Sequence, residues 1–188
     1  MTRAYEATTG FAQEVDAMEL ARAQRGDMQA FAQIYQRFGS ACFQLALRIL
    51  GQRQQAEDVV QEVFLKMIDT IRSYRGDAPF GAWLKRMTAN ACIDHLRRQR
   101  HVSDANADEL LARTPSGDAE VSGRIDVGSL LARLSPRARA IVTLHELEGY
   151  THAELATLFG QSESYSKSIL ARALKQLNTW VSSSQVNP

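Results

Sequence analysis

Apolar residues recur at three- and four-residue spacing through almost every ordered stretch of this 188-residue sequence, and no run shows the strict alternation of a half-buried strand. Such a period buries its apolar side chains by packing helix on helix, so the expected fold class is all-α. The period fails once, from Gln99 to Gly128, where Ser, Asp, Ala, Gly and a Pro dominate (HVSDANADELLARTPSGDAEVSG). The expected organisation is two small helical domains and a flexible linker. It has a flexible N-terminal extension over 1–17, a first domain over 18–100, the linker over 101–128 and a second domain over 129–182.

In the first domain, Asp27 follows Gly26 as an N-cap and opens a helix with Phe31, Ile34, Tyr35 and Phe38 on its inner face. A second helix carries Phe43, Ala46, Leu47 and Leu50 and stops at Gly51. The third, from near Gln54, turns Val60, Val63, Phe64, Met67 and Ile71 inward. Asp77 is the expected cap of the fourth, with Pro79 in its first turn and Phe80, Leu84, Met87 and Ala91 buried.

The second domain is richer in end signals. Ser135-Pro136 supplies an N-cap and a first-turn proline ahead of Ile141, Val142 and Leu144. Thr151 and Glu154 form a capping box, in which hydroxyl and carboxylate satisfy free backbone N–H groups reciprocally. The short helix they open carries Leu155, Ala156, Leu158 and Phe159 and ends at Gly160. After Gln161-Ser162, Glu163 begins a longer helix with Ile169, Leu170, Ala173, Leu174 and Leu177 inward.

Several function classes are disfavoured. No stretch approaches the roughly 18 consecutive apolar residues of a membrane span, and MTRAYEATTGFAQEVD holds no apolar signal run, so a cytoplasmic protein is expected. Cys42 and Cys92 sit inside apolar helical patterns rather than in a CxxC pair, which reads as two small buried residues. His145-Glu146-Leu147-Glu148-Gly149 begins like a zinc-protease helix, but Gly149 stands where the second His belongs. His95, His101 and His152 lack metal-ligand spacing and no Gly-rich phosphate loop is present, so neither metal nor cofactor nor catalytic residue is expected.

The net charge of +1 hides an asymmetry. Residues 72–100 carry seven cations against Asp77 and Asp94, whereas residues 101–128 carry Arg113 and Arg124 against six carboxylates. A basic block followed by an acidic one points to nucleic-acid contact in the first and not in the second.

Three constellations stand out. The capped short helix, the Gly-containing turn and the longer helix are the elements of a helix-turn-helix, whose second helix enters the major groove of DNA. Its outward residues Ser164, Tyr165, Lys167, Ser168, Arg172 and Lys175 offer hydroxyls and cations, which favours DNA over a merely structural hairpin. On the fourth helix Arg86, Asn90, Asp94 and Arg97 share one face, with Trp83 beside it. Periodicity weighs two readings of that face equally: a grip on single-stranded nucleic acid, or a solvated basic surface with Trp83 in the core. The third helix sets Asp58 and Glu62 at i, i+4 with Glu57 alongside, a like-charge arrangement that suits either a basic partner or plain solvent.

Together, the runs RAQRGDMQAFAQIYQRF, QQAEDVVQEVFLKM, YRGDAPFGAWLKRMTANACIDHLRRQR and LLARLSPRARAIVTLHELEGYTHAELATLFGQSESYSKSILARAL resemble the extracytoplasmic-function (ECF) subfamily of bacterial sigma-70-type RNA polymerase sigma factors. The resemblance spans nearly all of residues 18–180. It implies a sigma-2 domain followed by a sigma-4 domain in a non-enzymatic transcription initiation factor. Glu57, Asp58, Gln61 and Glu62 become the expected contacts to core RNA polymerase, on the coiled coil of the largest subunit. Trp83, Arg86, Asn90, Asp94, Arg97 and Arg98 become the −10 DNA-binding face, with Asn90 reading a flipped base and Arg97 and Arg98 holding phosphates. Ser164, Tyr165, Lys167, Ser168 and Arg172 become the −35 contacts. Further implied partners are promoter DNA, the flap of the second-largest subunit and an anti-sigma factor.

Three departures from the family pattern matter. Gln55 replaces the usual Asp at the start of the acidic motif, implying somewhat weaker core affinity. Around the recognition helix, Tyr165-Ser166-Lys167-Ser168-Ile169 stands for the family's Thr-Val-Lys-Ser-Arg, which implies one lost phosphate or base contact at Ile169 and a bulky aromatic at the groove at Tyr165. Two rival functions are a stand-alone helix-turn-helix regulator, which binds its operator without polymerase, and a hydrolase or nuclease using Glu57, Asp58 and Glu62 as metal ligands. The last has no supporting base or phosphate-binding group.

Overall fold

The computed structural model describes residues 10–102 and 127–184, all in helices and the turns between them, with no strand among those residues. The expected linker falls almost wholly outside them, over 103–126. Two compact units result, residues 1–47 with 52–92 and residues 48–51 with 93–188.

The first unit is built from α1 (Ala17–Gln24), α2 (Met28–Leu50) as far as Leu47, α3 (Arg53–Thr70) and α4 (Phe80–Val102) as far as Cys92, the remaining ends of α2 and α4 belonging to the second unit. Asp27 caps α2 as expected, its carboxylate accepting from the Gln29 backbone N–H at 2.8 Å. The Arg22 guanidinium hydrogen-bonded to it holds that carboxyl below the usual carboxylate range. Val60, Val63, Phe64, Met67 and Ile71 are all buried, as are Phe80, Leu84, Met87 and Ala91. Cys42 and Cys92 are free and buried, and burial pushes the Cys42 thiol up to about 11 and that of Cys92 higher still.

Four local expectations are corrected. The two helices expected before Gly51 are one, because Phe38, Cys42, Leu45 and Ile49 continue a buried stripe across Gly39. Burial on that scale outweighs the ~1 kcal/mol that one glycine costs a helix. Tyr35 is not inward: it is 53% exposed and rests edge-on against Phe64, ring centroids 4.8 Å apart. Asp77 does not cap α4. The helix starts at Phe80, with the Trp83 N–H donating to the Pro79 carbonyl at 3.1 Å, because a proline drives the preceding Ala78 away from helical dihedrals.

The fourth correction concerns residues 10–17 of the extension expected over 1–17, of which residues 1–9 lie outside the described residues. From Gly10 the chain makes a 3-10 turn over Gly10–Ala12, and Asp16 caps α1. Gln13 donates through Nε2 to the Arg37 carbonyl at 2.9 Å, and Arg37 donates to the Glu14 carbonyl at 3.0 Å and to Glu19 at 2.8 Å. Gly81 lies directly beneath this segment, and a Cβ there would collide with the Phe11 carbonyl.

The second unit holds α5 (Val127–Ala132), α6 (Pro136–Val142) continued by a π turn over Thr143–Leu147, α7 (His152–Phe159) and α8 (Glu163–Ser184). Ser135 caps α6 with Pro136 in its first turn, and Ile141, Val142 and Leu144 are buried. Leu155, Ile169, Leu170 and Ala173 close the core between α7 and α8. Arg133 lies 4.3 Å above the Trp180 ring, a cation–π contact from the α5–α6 turn to the far part of α8.

Candidate functional site

Three charged surfaces follow from how these helices bury their apolar faces. On α3 the buried residues Ala56, Val59, Val60, Val63, Phe64 and Met67 leave Glu57, Asp58, Gln61 and Glu62 exposed. Glu57 is engaged by Arg53, its neighbour one turn back, at 2.8 Å. Asp58, Gln61 and Glu62 share the exposed outward side of α3 with Leu65, Lys66 and Asp69. Sequence reasoning singled out the first three and missed the others. Their signal was the same three- and four-residue spacing carried one and two turns further. Gln55 turns its amide to Gln52, 2.7 Å away.

The second surface is one side of α4. Arg86, Asp94, Arg97 and Arg98 are exposed and Asn90 is half-buried, so the structure sets these five of the six expected residues along one accessible side. Asp94 accepts from Arg97 at 3.2 Å, and the same guanidinium donates to the Leu158 carbonyl of α7 at 3.3 Å. Trp83 is placed differently from an open stacking platform. It is half-buried in an aromatic cluster with Tyr74 and Phe80, each ring centroid 5.3 Å away. The Tyr74 hydroxyl donates to the Ala78 carbonyl at 2.5 Å, tying the turn before α4 into that cluster. Sequence reasoning paired Trp83 with the basic face but missed Tyr74, whose position depends on how the 71–79 turn folds back.

The third surface is the helix-turn-helix. The capping box is complete: the Glu154 N–H donates to the Thr151 hydroxyl at 3.2 Å, and the Thr151 N–H to the Glu154 carboxylate at 2.8 Å. Gly160 ends α7 in the left-handed region (φ 62°, ψ 40°), where a side chain is strained and glycine is not. Ser164, Lys167, Ser168, Arg172 and Lys175 are exposed on α8. Lys167 pairs with Glu163 at 3.1 Å. Tyr165 is half-buried, its hydroxyl accepting from Arg137 of α6 at 3.0 Å, so it braces the motif instead of standing free at the groove. Ile169 is buried at 7% exposure. The position thus faces the core, and the lost surface contact expected there is not a feature of this fold.

A contact absent from the sequence reading holds α7 to α8. His152 Nδ1 lies 3.0 Å from the Oγ of buried Ser166, and that hydroxyl donates to the Glu163 carbonyl at 2.9 Å. With the serine proton so engaged, Nδ1 is the donor and His152 is the neutral Nδ1–H tautomer. The His145 ring stacks on it, centroids 4.4 Å apart. Burial, then the charges of His145 and Lys167, lower the His152 pKa below its ordinary value. Among the described residues, no helix is long and apolar enough to cross a membrane.

A capped helix, a left-handed glycine turn and a longer helix with hydroxyls and cations outward define a helix-turn-helix protein of the transcription class. Comparison with known proteins narrows the class. Residues 34–102 match the Sigma-70 region 2 model and residues 124–177 the Sigma-70, region 4 model. The RNA polymerase sigma factor NccH of Alcaligenes xylosoxydans xylosoxydans is 33% identical over 182 residues, 92% of this chain and 97% of that protein. The ECF RNA polymerase sigma factor SigM of Mycobacterium tuberculosis (strain H37Rv) is 34% identical over 164 residues, 86% of this chain and 82% of that one. The fold resembles that of the sigma factor RpoE of Bartonella quintana, solved with the anti-sigma factor NepR, at a TM-score of 0.55 and 22% identity over 81% of this chain and 96% of that one. The chain belongs to the sigma-70 family of RNA polymerase sigma factors, in its ECF group. Members of this family are in general non-enzymatic initiation factors.

Proposed function

We propose that this chain binds bacterial core RNA polymerase, directs it to a restricted set of promoters and promotes melting at the −10 element, acting in the cytoplasm and without catalytic chemistry of its own. The observation that carries the reading is the presence in one chain of region 2 and region 4 matches, with the acidic side of α3, the basic side of α4 and the cationic side of α8 all open to solvent. Asp58, Gln61 and Glu62 form the docking face for a basic element of core, and Glu57 adds charge beside it. Arg86, Arg97 and Arg98 hold −10 phosphates, Asn90 captures an unpaired base, and Asp94 orients Arg97. Capture of a base from the opened strand offsets the few kcal/mol of unstacking a flipped nucleotide. Trp83, engaged by Tyr74 and Phe80, sets the position of α4.

Ser164, Lys167, Ser168 and Arg172 contact the −35 major groove, with Tyr165 supporting from behind. The domain boundaries of this reading are 18–100 for the sigma-2 part and 129–182 for the sigma-4 part, with the acidic 101–128 segment between them repelled by DNA and drawn to basic channel walls. An anti-sigma factor is the expected restraint, in keeping with the complex in which the RpoE neighbour was solved.

The test is to mix the purified chain with core polymerase and measure complex formation, alongside binding of the free chain to promoter DNA. Tight association with core, abolished by Asp58→Arg, and promoter recognition only in the complex support the reading. A chain that ignores core and binds duplex DNA as a symmetric dimer is a stand-alone regulator, and the roles of Asp58 and Asn90 are then withdrawn.

A further inference from the structure

Gln24, the last residue of α1, is half-buried against the turn that leads out of α3. Its side-chain Nε2 donates to the Ile71 carbonyl at 3.3 Å and to the Tyr74 carbonyl at 3.2 Å, and its own backbone carbonyl accepts from Arg72 Nε at 3.2 Å. An amide nitrogen carries two diverging hydrogens, so it serves both carbonyls at once, whereas a carboxylate would donate to neither. Ile71 caps the end of α3, where backbone carbonyls lack helical partners, and Gln24 supplies a donor from outside that helix. Residues far apart in sequence thus fix the 71–74 turn. Tyr74 leaves this turn with its ring 5.3 Å from Trp83 and 5.4 Å from Phe80, both on the first turn of α4.

We infer that Gln24 is a positioning residue for promoter melting: it holds Tyr74, Tyr74 holds Trp83, and with Trp83 the first turn of α4 is set in place. The inference rests on the reading of α4 as the −10 helix. Gln24 lies ahead of the residues matched to region 2, so this is a contribution of α1 from outside that region. Arg86 and Asn90 stand one and two turns beyond Trp83, and a tilt of the first turn carries both with it. Capture of an unpaired base requires side chains placed to within about 0.5 Å, whereas phosphate contacts through long arginine side chains follow a small shift. Opening of the −10 element is therefore the step that depends on Gln24, and closed-complex binding is not.

The test uses the full chain with core polymerase and promoter DNA, and compares Gln24→Ala, Gln24→Glu, Gln24→Lys and Asn90→Ala. Gln24→Ala and Gln24→Glu slow open-complex formation about ten-fold, the effect of losing such hydrogen bonds at the melting step, with closed-complex affinity within about two-fold of the parent. Gln24→Lys restores most of the rate, since an ammonium donates to both carbonyls and its charge suits the end of a helix. In a Trp180→Phe background, the Trp83 emission of Gln24→Ala shifts to the red and is more readily quenched by acrylamide, while that of Gln24→Lys stays with the parent. If Asn90→Ala slows opening and Gln24→Ala opens like the parent, the clamp is wrong and the −10 reading of α4 stands. If Asn90→Ala opens normally as well, that reading fails and takes the clamp with it. Equal losses in closed and open complexes, or slow opening with unchanged Trp83 emission, assign Gln24 to the fold alone and overturn the positioning role.

Discussion

Ser166→Ala removes the oxygen that meets His152 between the two helices of the DNA-reading motif. Ser166 is 2% exposed, accepts from His152 Nδ1 at 3.0 Å and donates to the Glu163 carbonyl at 2.9 Å. The carbonyl is not orphaned by the change, since it also lies on the ordinary hydrogen-bond ladder of α8. The His152 N–H does lose its acceptor, on a half-buried ring. Net loss of one such bond is about 1 kcal/mol, rising toward about 3 kcal/mol only if the ring were sealed from water.

For a unit of this size, about 1 kcal/mol lowers the melting temperature by roughly 4–8 °C. The chain has two tryptophans, Trp83 in the first unit and Trp180 in the second. In a Trp83→Phe background, Trp180 fluorescence reports the second unit by itself. The expected result is a lower midpoint for that unit and weaker −35 recognition by the holoenzyme, because α7 no longer holds α8 in register. An unchanged Trp180 midpoint would refute the clasp and the tautomer assigned to His152.

Other perturbations bear on different links. Burial lowers the His152 pKa from its ordinary 6.5, so the folded form disfavours the proton that the unfolded chain takes up at that pH. This contribution is intact above 6.5 and lost as pH falls through 6.5 toward the folded value, so the Trp180 midpoint should drop between about pH 7.5 and about pH 5.5. His152→Gln should flatten that dependence. Asn90→Ala should leave closed-complex binding near the parent value and slow open-complex formation, read by permanganate reactivity of the −10 strand; equal loss in both steps removes the base-capture role. Gly81→Ala drives a methyl into the Phe11 carbonyl, and overpacking of this kind costs about 1–3 kcal/mol. It should speed protease cleavage between Gly10 and Asp16, and unaltered cleavage would show that this segment does not depend on Gly81.

Much of this protein is written locally and is therefore legible in its sequence. Helix ends at Asp27, Ser135, Thr151 and Gly160 are specified by side chains within four residues of the backbone groups they satisfy. The buried faces of α3, α4 and α8 repeat at helical spacing, and whatever they do not bury, including Asp58, Glu62, Arg86, Lys167 and Arg172, must face water.

Only the tertiary structure decided features that join residues far apart in the chain. Burial of Phe38, Cys42 and Leu45 against other helices carries α2 through Gly39, although its local sequence resembles a break. Phe64, a helix away, turns Tyr35 outward, and Arg137 claims the Tyr165 hydroxyl. Gln13 and Arg37 fasten a segment with no periodic signal of its own. His152 meets Ser166 across a turn whose angle no capping rule specifies. The division has a physical cause: caps and periodicity act over one or two turns, whereas packing energy depends on which surfaces meet, and that is a property of the assembled helices.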